Sequence, residues 1–292
     1  MNLMRLRYFI EAAKYKSFTV AAEKLYTTQP NLSKQISLLE QELGVQVFHR
    51  TNRSLILTRA GQYLFEQLQD IPDRTARAFE QARAIGRSDT GVISVGIIEG
   101  QEVNTFLLDR IHTFAACNPT IELNLERRGF SNLRQGLNNK YYDVIITFSF
   151  EAQSLPGALK RTIRKQTIAI AINRKNPLAG KENLNIHDLK DEPFVVISPE
   201  ESPGGYSIFL EQCAAAGFTP KIARRLNNLE SLLLCVEVGI GVAIIDRNTR
   251  LEKNEEVRTV TISDSIPTGL CVFWLEQNPN PVIPVFVERL CD

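Results

Sequence analysis

Apolar and polar residues follow a helical period at the start of this chain and a strand-and-helix alternation over its last two hundred residues. From Met4 to Lys14, Leu6, Phe9, Ile10 and Ala13 recur at spacings of three and four, which predicts a first helix with one buried face. Ser17 and Thr19 can cap a short second helix over Thr19 to Leu25, and the small Ala21 and Ala22 allow a neighbouring helix to approach closely. A third helix is predicted after Thr27 or Thr28 as N-cap. Pro30 falls in its first turn, where a missing N–H breaks no hydrogen bond, and Gly44 stops it after Leu43. On this helix Leu32, Ile36, Leu39 and Leu43 share one sector, while Pro30, Ser33, Lys34, Ser37 and Gln41 lie opposite. Val45 to Thr58 then carries a basic tip, Arg50 to Arg53, leading into Ser54-Leu55-Ile56-Leu57, and reads as a short hairpin or wing.

Beyond Thr58 a longer stripe, Ala60, Leu64, Leu68, Ile71, Thr75, Ala78, Ala82 and Ile85, predicts a connecting helix that packs on a twin or on its own chain. Pro72 interrupts it and forces a kink or a restart. Gly86, Ser88 and Gly91 mark a hinge. After the hinge, strands are predicted at Val92 to Ile98, Ile121 to Glu126 and Asp143 to Phe148, alternating with helices at Asn104 to Ala116 and Ser131 to Asn138. A second set has strands near Thr167 to Ile172, Phe194 to Ile197 and Gly241 to Ile245, with helices near Ser207 to Ala216 and Leu229 to Val238. Such alternation predicts two α/β lobes built on mainly parallel sheets.

Composition narrows the function classes. With 292 residues, 43% hydrophobic and 23% charged, the chain is expected to fold into two or three domains. Its apolar runs are too short for a membrane span, and the N-terminus lacks a signal-peptide core, so a cytoplasmic, nucleoid-associated location is expected. Cys117, Cys213, Cys235, Cys271 and Cys291 are scattered, and His49, His112 and His187 are isolated, which predicts neither a disulfide frame nor a metal site, and no cofactor. Residues 1–88 hold 13 Lys and Arg against 8 Asp and Glu, while residues 89–292 hold 21 against 25. A basic head on a mildly acidic body is expected where only the head meets phosphate. Gly-x-Gly-x-x-Gly, P-loop and Gly-x-Ser-x-Gly signatures are missing, which argues against an enzyme.

The polar face of the third helix offers short hydroxyls and amides with one cation, groups that hydrogen-bond base edges in a major groove without steric excess. A wing would set Arg50 and Arg53 against the phosphates beside the groove. The runs Ser17 to Leu25 (SFTVAAEKL), Gln29 to Ile36 (QPNLSKQI), Leu39-Glu40 and Leu43 to Phe48 (LGVQVF) strongly resemble the LysR-type transcriptional regulators. The resemblance implies that Gln29, Pro30, Asn31, Ser33 and Lys34 face the groove and that Arg50 and Arg53 are wing cations. With Thr28 and Ser37 these form the candidate DNA-binding set. The resemblance continues at Phe114 with Asn118-Pro119, Tyr142 to Ile146, Asn176 to Ala179, Asp188-Leu189, Glu192 to Phe194, and Val238 to Ala243.

It implies a winged helix-turn-helix domain over 1–58, a linker and dimerisation helix over 59–88 and an effector domain over 89–292. The effector domain would be like periplasmic binding proteins, with one lobe from 92–161 and 268–292 and the other from 162–267. The implied protein is a regulator controlled by a small-molecule effector of unknown identity. Its expected partners are double-stranded DNA with an interrupted inverted repeat, a second copy or three in a homodimer or homotetramer, and RNA polymerase as a further candidate, with no membrane. In open α/β sheets ligands bind beyond the carboxyl ends of strands and against helix N-termini. The candidate effector residues are therefore Glu99, Gly100, Gln101, Arg127, Arg128, Phe148, Ser202, Gly204 and Asn227. Many relatives of the family have a small hydroxyl residue where Glu99 stands. A carboxylate there suits a ligand amine or guanidinium, or else is solvated or paired with Arg127 or Arg128. Gly204-Gly205 reads as a turn or as a ligand cradle.

Overall fold

The computed structural model describes residues 3–50, 55–69, 71–72, 75, 79, 91–100, 105–251 and 255–291. The chain divides into two compact units, Met1–Arg83 and Ala84–Asp292.

The first unit begins with helices α1 (Leu3–Tyr15), α2 (Phe18–Lys24) and α3 (Gln29–Leu43). Local chemistry sets their ends. The Ser17 hydroxyl accepts a hydrogen bond from the Val20 amide, Thr28 does the same for Asn31, and Gly44 ends α3 in the left-handed region at φ 69°. Leu6, Phe9, Ile10, Ala13, Ala21, Ala22, Leu32, Ile36 and Leu39 are buried together as the apolar periods predict. Leu43 departs from that pattern and is 39% exposed, because the chain turns away at Gly44. Val47 and Phe48 fill the core in its place. Their amides donate to the Glu40 carboxylate at 3.0 and 3.2 Å, and the Phe48 ring packs against Phe9 and Phe18.

Strands β1 (Phe48–Arg50) and β2 (Leu55–Leu57) pair antiparallel as a wing. Helix α4 (Arg59–Leu68) follows, capped by Thr58, whose hydroxyl also donates to the Gln46 carbonyl at 2.8 Å. The helix ends at Leu68, and Ile71 and Pro72 are helical again, a restart that spares the hydrogen bond proline cannot make. Leu64, Phe65, Leu68 and Ile71 pack on the core of this unit. Ala78, Ala82 and Ile85 of the predicted stripe, with Gly86 and Ser88 of the hinge, lie outside the described residues.

The second unit holds two α/β lobes. In the first, β3 (Val92–Ile98), β4 (Glu122–Arg128), β5 (Val144–Phe148), β6 (Ala158–Lys165) and β13 (Gly269–Leu275) form a sheet of order β4-β3-β5-β13-β6. Helices α5 (Thr105–Cys117), α6 (Phe130–Asn138) and α9 (Val282–Cys291) accompany it. In the second, β9 (Pro193–Ile197) pairs parallel with β10 (Lys221–Leu226), and β7 (Ile168–Asn173), β8 (Asn183–Leu184), β11 (Ala243–Asp246) and β12 (Val257–Ile262) form a sheet of order β11-β7-β12-β8. Among the described residues one isolated bridge, Phe194 to Val242, joins the two sheets of this lobe, which carries α7 (Pro203–Ala215) and α8 (Leu229–Glu237). Sequence alternation predicts mainly parallel sheets. The structure is mixed: β13 runs antiparallel to β5 and β6, and β7 antiparallel to β11 and β12. The chain leaves the first lobe after β6 and returns to it at β13, so the core of each lobe is closed by strands far apart in sequence. Among the described residues no helix is long and apolar enough to cross a membrane.

Candidate functional site

Two surfaces concentrate the chemistry, one on each unit. On the first, Thr28, Gln29, Pro30, Asn31, Lys34 and Ser37 of α3 and its cap are exposed and Ser33 is half-buried, while Leu32, Ile36 and Leu39 anchor the other face. Asn31 Nδ2 donates to Thr27 Oγ1 at 2.9 Å, and Ser37 Oγ donates to the Ser33 carbonyl at 3.1 Å. Arg5 of α1 clamps the far end of α3, donating to Gln35 Oε1 at 3.2 Å and forming an ion pair with Glu42. The acids Glu40 and Glu42 lie in the C-terminal half of α3, away from its N-terminal turns, whose positive dipole end suits an anionic polymer. Arg50 ends β1, and Arg53 lies outside the described residues.

The second is a cavity of about 150 Å³ between the two lobes. Phe130, Phe148 and Phe150 form one wall, with ring centroids 5.2 to 6.1 Å apart, and Tyr206 and Phe209 of α7 contribute to the lining. Its polar lining includes Glu99, Gln166, Glu201, Ser202, Gln212, Asn227, Asn228, Asp246 and Thr268. Glu201 Oε1 accepts from the Ser131 amide in the first turn of α6 at 3.1 Å. Arg134 of α6 donates to the carbonyls of Glu201 (2.7 Å) and Glu200 (3.2 Å) and pairs with the buried Glu151 at 2.7 Å, which in turn accepts from Ser202 Oγ at 2.6 Å. Asp246 is held by Arg164 at 3.0 Å and Gln166 at 3.1 Å. Burial raises the Glu99 carboxyl above its ordinary pKa, reinforced by the charges of Glu201 and Glu230 and opposed by Arg128.

Of the effector residues expected from sequence, Glu99, Phe148, Ser202 and Asn227 line the cavity. Arg127 and Arg128 do not. Both are exposed on β4, and Arg128 pairs with Glu126 at 3.2 Å and donates to the Arg127 carbonyl, so neither forms an ion pair with Glu99. Gly100 sits at φ 71° where a Cβ would lie 1.8 Å from Leu229, which makes it a close-packing turn rather than a lining residue. Gly204 is likewise outside the lining: Gly204-Gly205 is the first turn of α7, and a Cβ at Gly204 would lie 2.0 Å from the Phe150 carbonyl. Gln101 lies outside the described residues. Sequence reasoning passes over Phe130, Phe150, Gln166, Glu201, Gln212, Asp246 and Thr268, which come from seven separate places in the chain. Only Glu201 carries a signal, standing next to Ser202 at a helix start. Among the described residues no cluster of three His, Cys, Asp or Glu is placed to hold a metal ion.

Comparison with known proteins finds two family matches. Residues 3–62 match the bacterial regulatory helix-turn-helix protein, lysR family, and residues 86–292 match the LysR substrate binding domain. Similar curated proteins include the HTH-type transcriptional regulator AlsR of Bacillus subtilis (strain 168), 28% identical and aligned over 99% of this chain and 95% of that protein. The HTH-type transcriptional regulator BudR of Raoultella terrigena is 27% identical over 99% of both. Among solved structures, CbnR, a LysR family transcriptional regulator, has a similar fold, with a TM-score of 0.75 at 22% identity over 99% of this chain and 98% of that one. Full-length CbnR complexed with target DNA gives 0.73 at 22% identity over 99% of each.

Proposed function

Because the chain belongs to the LysR family, and so is a DNA-binding transcriptional regulator with a C-terminal effector-binding domain, we propose how its parts divide that work. Residues 1–58 read DNA, 59–88 link and dimerise, and 89–292 bind the effector between lobes 92–161 with 268–292 and 162–267. Thr28, Gln29, Pro30, Asn31, Ser33, Lys34 and Ser37 enter a major groove, and Arg50 and Arg53 meet the flanking phosphates. The observation that carries this is the exposed face of α3, where short polar side chains and one cation stand opposite a fully buried Leu32-Ile36-Leu39 ridge. Two such heads in a homodimer or homotetramer would read an interrupted inverted repeat. The protein works in the cytoplasm as a regulator and not as an enzyme, with RNA polymerase as a further partner.

Effector binding in the cavity, lined by Glu99, Phe148, Ser202 and Asn227, changes lobe closure and biases the spacing of the heads on DNA, an effect of about 1–3 kcal/mol being enough. The test is genome-wide capture of DNA by the purified protein and by Ser33→Ala and Lys34→Ala. Sharp enrichment of an interrupted repeat that collapses in the variants supports the reading. Diffuse retention unchanged by either variant would sink it.

A further inference from the structure

Taking the cavity as the effector site, its polar groups define the chemistry of what it holds. Beside the amides of Asn227 and Asn228 and the Tyr206 hydroxyl, they include a concentration of acids and unmet acceptors. Glu99 and Glu201 crowd one point, for a Cβ built on Gly129 would lie 2.6 Å from Glu201 Oε1 and 3.6 Å from Glu99 Oε1. Gln166 Oε1, Gln212 Oε1 and Thr268 Oγ1, all of lining residues, are buried without a hydrogen-bond partner among the described residues. Gln212 and Thr268 are only 5% and 8% exposed. The Gln166 amide has its orientation set by Asp246, which takes its Nε2 donor and leaves the carbonyl oxygen unmet. Buried acceptors of this kind cost stability until a donor reaches them.

Helix starts, the usual receivers of an anion, are each partly closed here. One N-terminal amide of each of three bordering helices is capped by the chain's own oxygen: Ser131 of α6 by Glu201, Gly205 of α7 by Ser202, and Ser231 of α8 by Asn228. Among the described residues no Lys, Arg or His lines the cavity. The nearby cations Arg128, Arg134 and Arg164 are bound to Glu126, Glu151 and Asp246. A carboxylate or phosphate ligand would enter beside two acids and meet no cation in the lining itself.

We propose that this cavity binds a small organic cation, a primary ammonium on an apolar body about the size of one ring. An ammonium carries three donors and no acceptor, enough for the Glu99 and Glu201 carboxylates and one of the unmet amide oxygens. The apolar body packs on Phe130, Phe148 and Phe150, whose ring faces also attract a cation. A cavity near 150 Å³ is of the size that takes a single benzene-like ring.

The test titrates the full-length protein with three probes matched in shape, 2-phenylethylamine, 2-phenylethanol and 3-phenylpropanoate, by calorimetry and thermal shift. The amine should bind at least about tenfold more tightly than the alcohol, one step of differential binding energy, and the acid should not register. Glu99→Gln should weaken the amine far more than the alcohol, so that the amine's advantage disappears. Tighter binding of the acid, or equal binding of amine and alcohol, would overturn the cationic class and leave the effector cavity standing. Failure of all three probes overturns the proposal. The effector reading is then judged apart from it, by whether blocking the cavity with Phe148→Trp abolishes regulation in cells.

Discussion

The Glu201 carboxylate of the second lobe accepts a hydrogen bond from the Ser131 amide of the first at 3.1 Å. Arg134 makes the same crossing, from α6 to the carbonyls of Glu200 and Glu201. The loop before α7 is thus tied to the N-terminal turns of α6 by one carboxylate and one guanidinium, and both ties end at the rim of the cavity.

The second tie depends on a buried ion pair. Glu151 is fully buried, and Arg134 and Ser202 satisfy its two oxygens. Arg134→Ala would strand that charge and is expected to destabilise the second unit by about 3–5 kcal/mol in urea unfolding. Arg134→Met with Glu151→Leu, which removes both charges, should recover much of the loss. If the double variant is no more stable than Arg134→Ala, the pair does not matter in the way its burial indicates.

Glu99 gives a pH-dependent prediction whose sign follows from burial. Its folded carboxyl holds a proton to higher pH than the unfolded one does, because burial and the charges of Glu201 and Glu230 outweigh Arg128. Stability therefore falls as pH rises from the ordinary carboxylate value through the raised one, and the loss persists above it. Glu99→Gln should melt higher than the parent protein at neutral pH and at the same temperature once the pH is well below the carboxylate range. A difference in melting temperature that stays constant with pH would dismiss the charge as its cause.

In the first unit, Gly61 of α4 is buried where a Cβ would lie 2.0 Å from the Val47 carbonyl, itself bonded to the Thr58 amide. Gly61→Ala must push α4 off the wing and should cost about 1–3 kcal/mol or more. Hydrogen exchange should quicken over the first unit and operator affinity should drop, while ligand affinity of the second unit stays unchanged. Unaltered exchange around Val47 and Thr58 would show that the wing can yield there.

Much of the first unit was legible in sequence because its contacts are local. Ser17, Thr28 and Gly44 bound their helices through groups a few residues away, and Leu32, Ile36 and Leu39 announce a buried ridge by spacing alone. Leu43 fits that spacing and still escapes burial, because the left-handed turn at Gly44 is what decides where the core ends. In the second unit β3, β5 and β7 are apolar runs that read as strands. The edge strand β6, ALKRTIRK, is largely exposed and basic and gives no strand pattern. The strand β13 is as apolar as β5, but its direction and its place beside β5 depend on a chain return that periodicity does not encode. The cavity was the least legible part. Four of its residues lay at strand ends or helix starts, where a rule points, whereas Gln166, Gln212 and Thr268 meet there only through the crossing of the two lobes.

Specific and non-specific DNA contacts should separate in the head. Lys34 stands on the exposed face of α3 among groups suited to base edges, while Arg50 ends the first strand of the wing, beside which the phosphates would run. Lys34→Ala should then reduce preference for the operator over a scrambled duplex by about 1–3 kcal/mol, with little change in scrambled-duplex affinity. Arg50→Ala should weaken both duplexes alike and lower the slope of log K against log salt by about 0.9, the share of a single neutralised phosphate. Fluorescence anisotropy on the two duplexes across a salt series measures both effects together. An Arg50→Ala protein with an unchanged salt slope and a deficit confined to the operator would exchange the two roles, making the wing the reader and α3 the anchor.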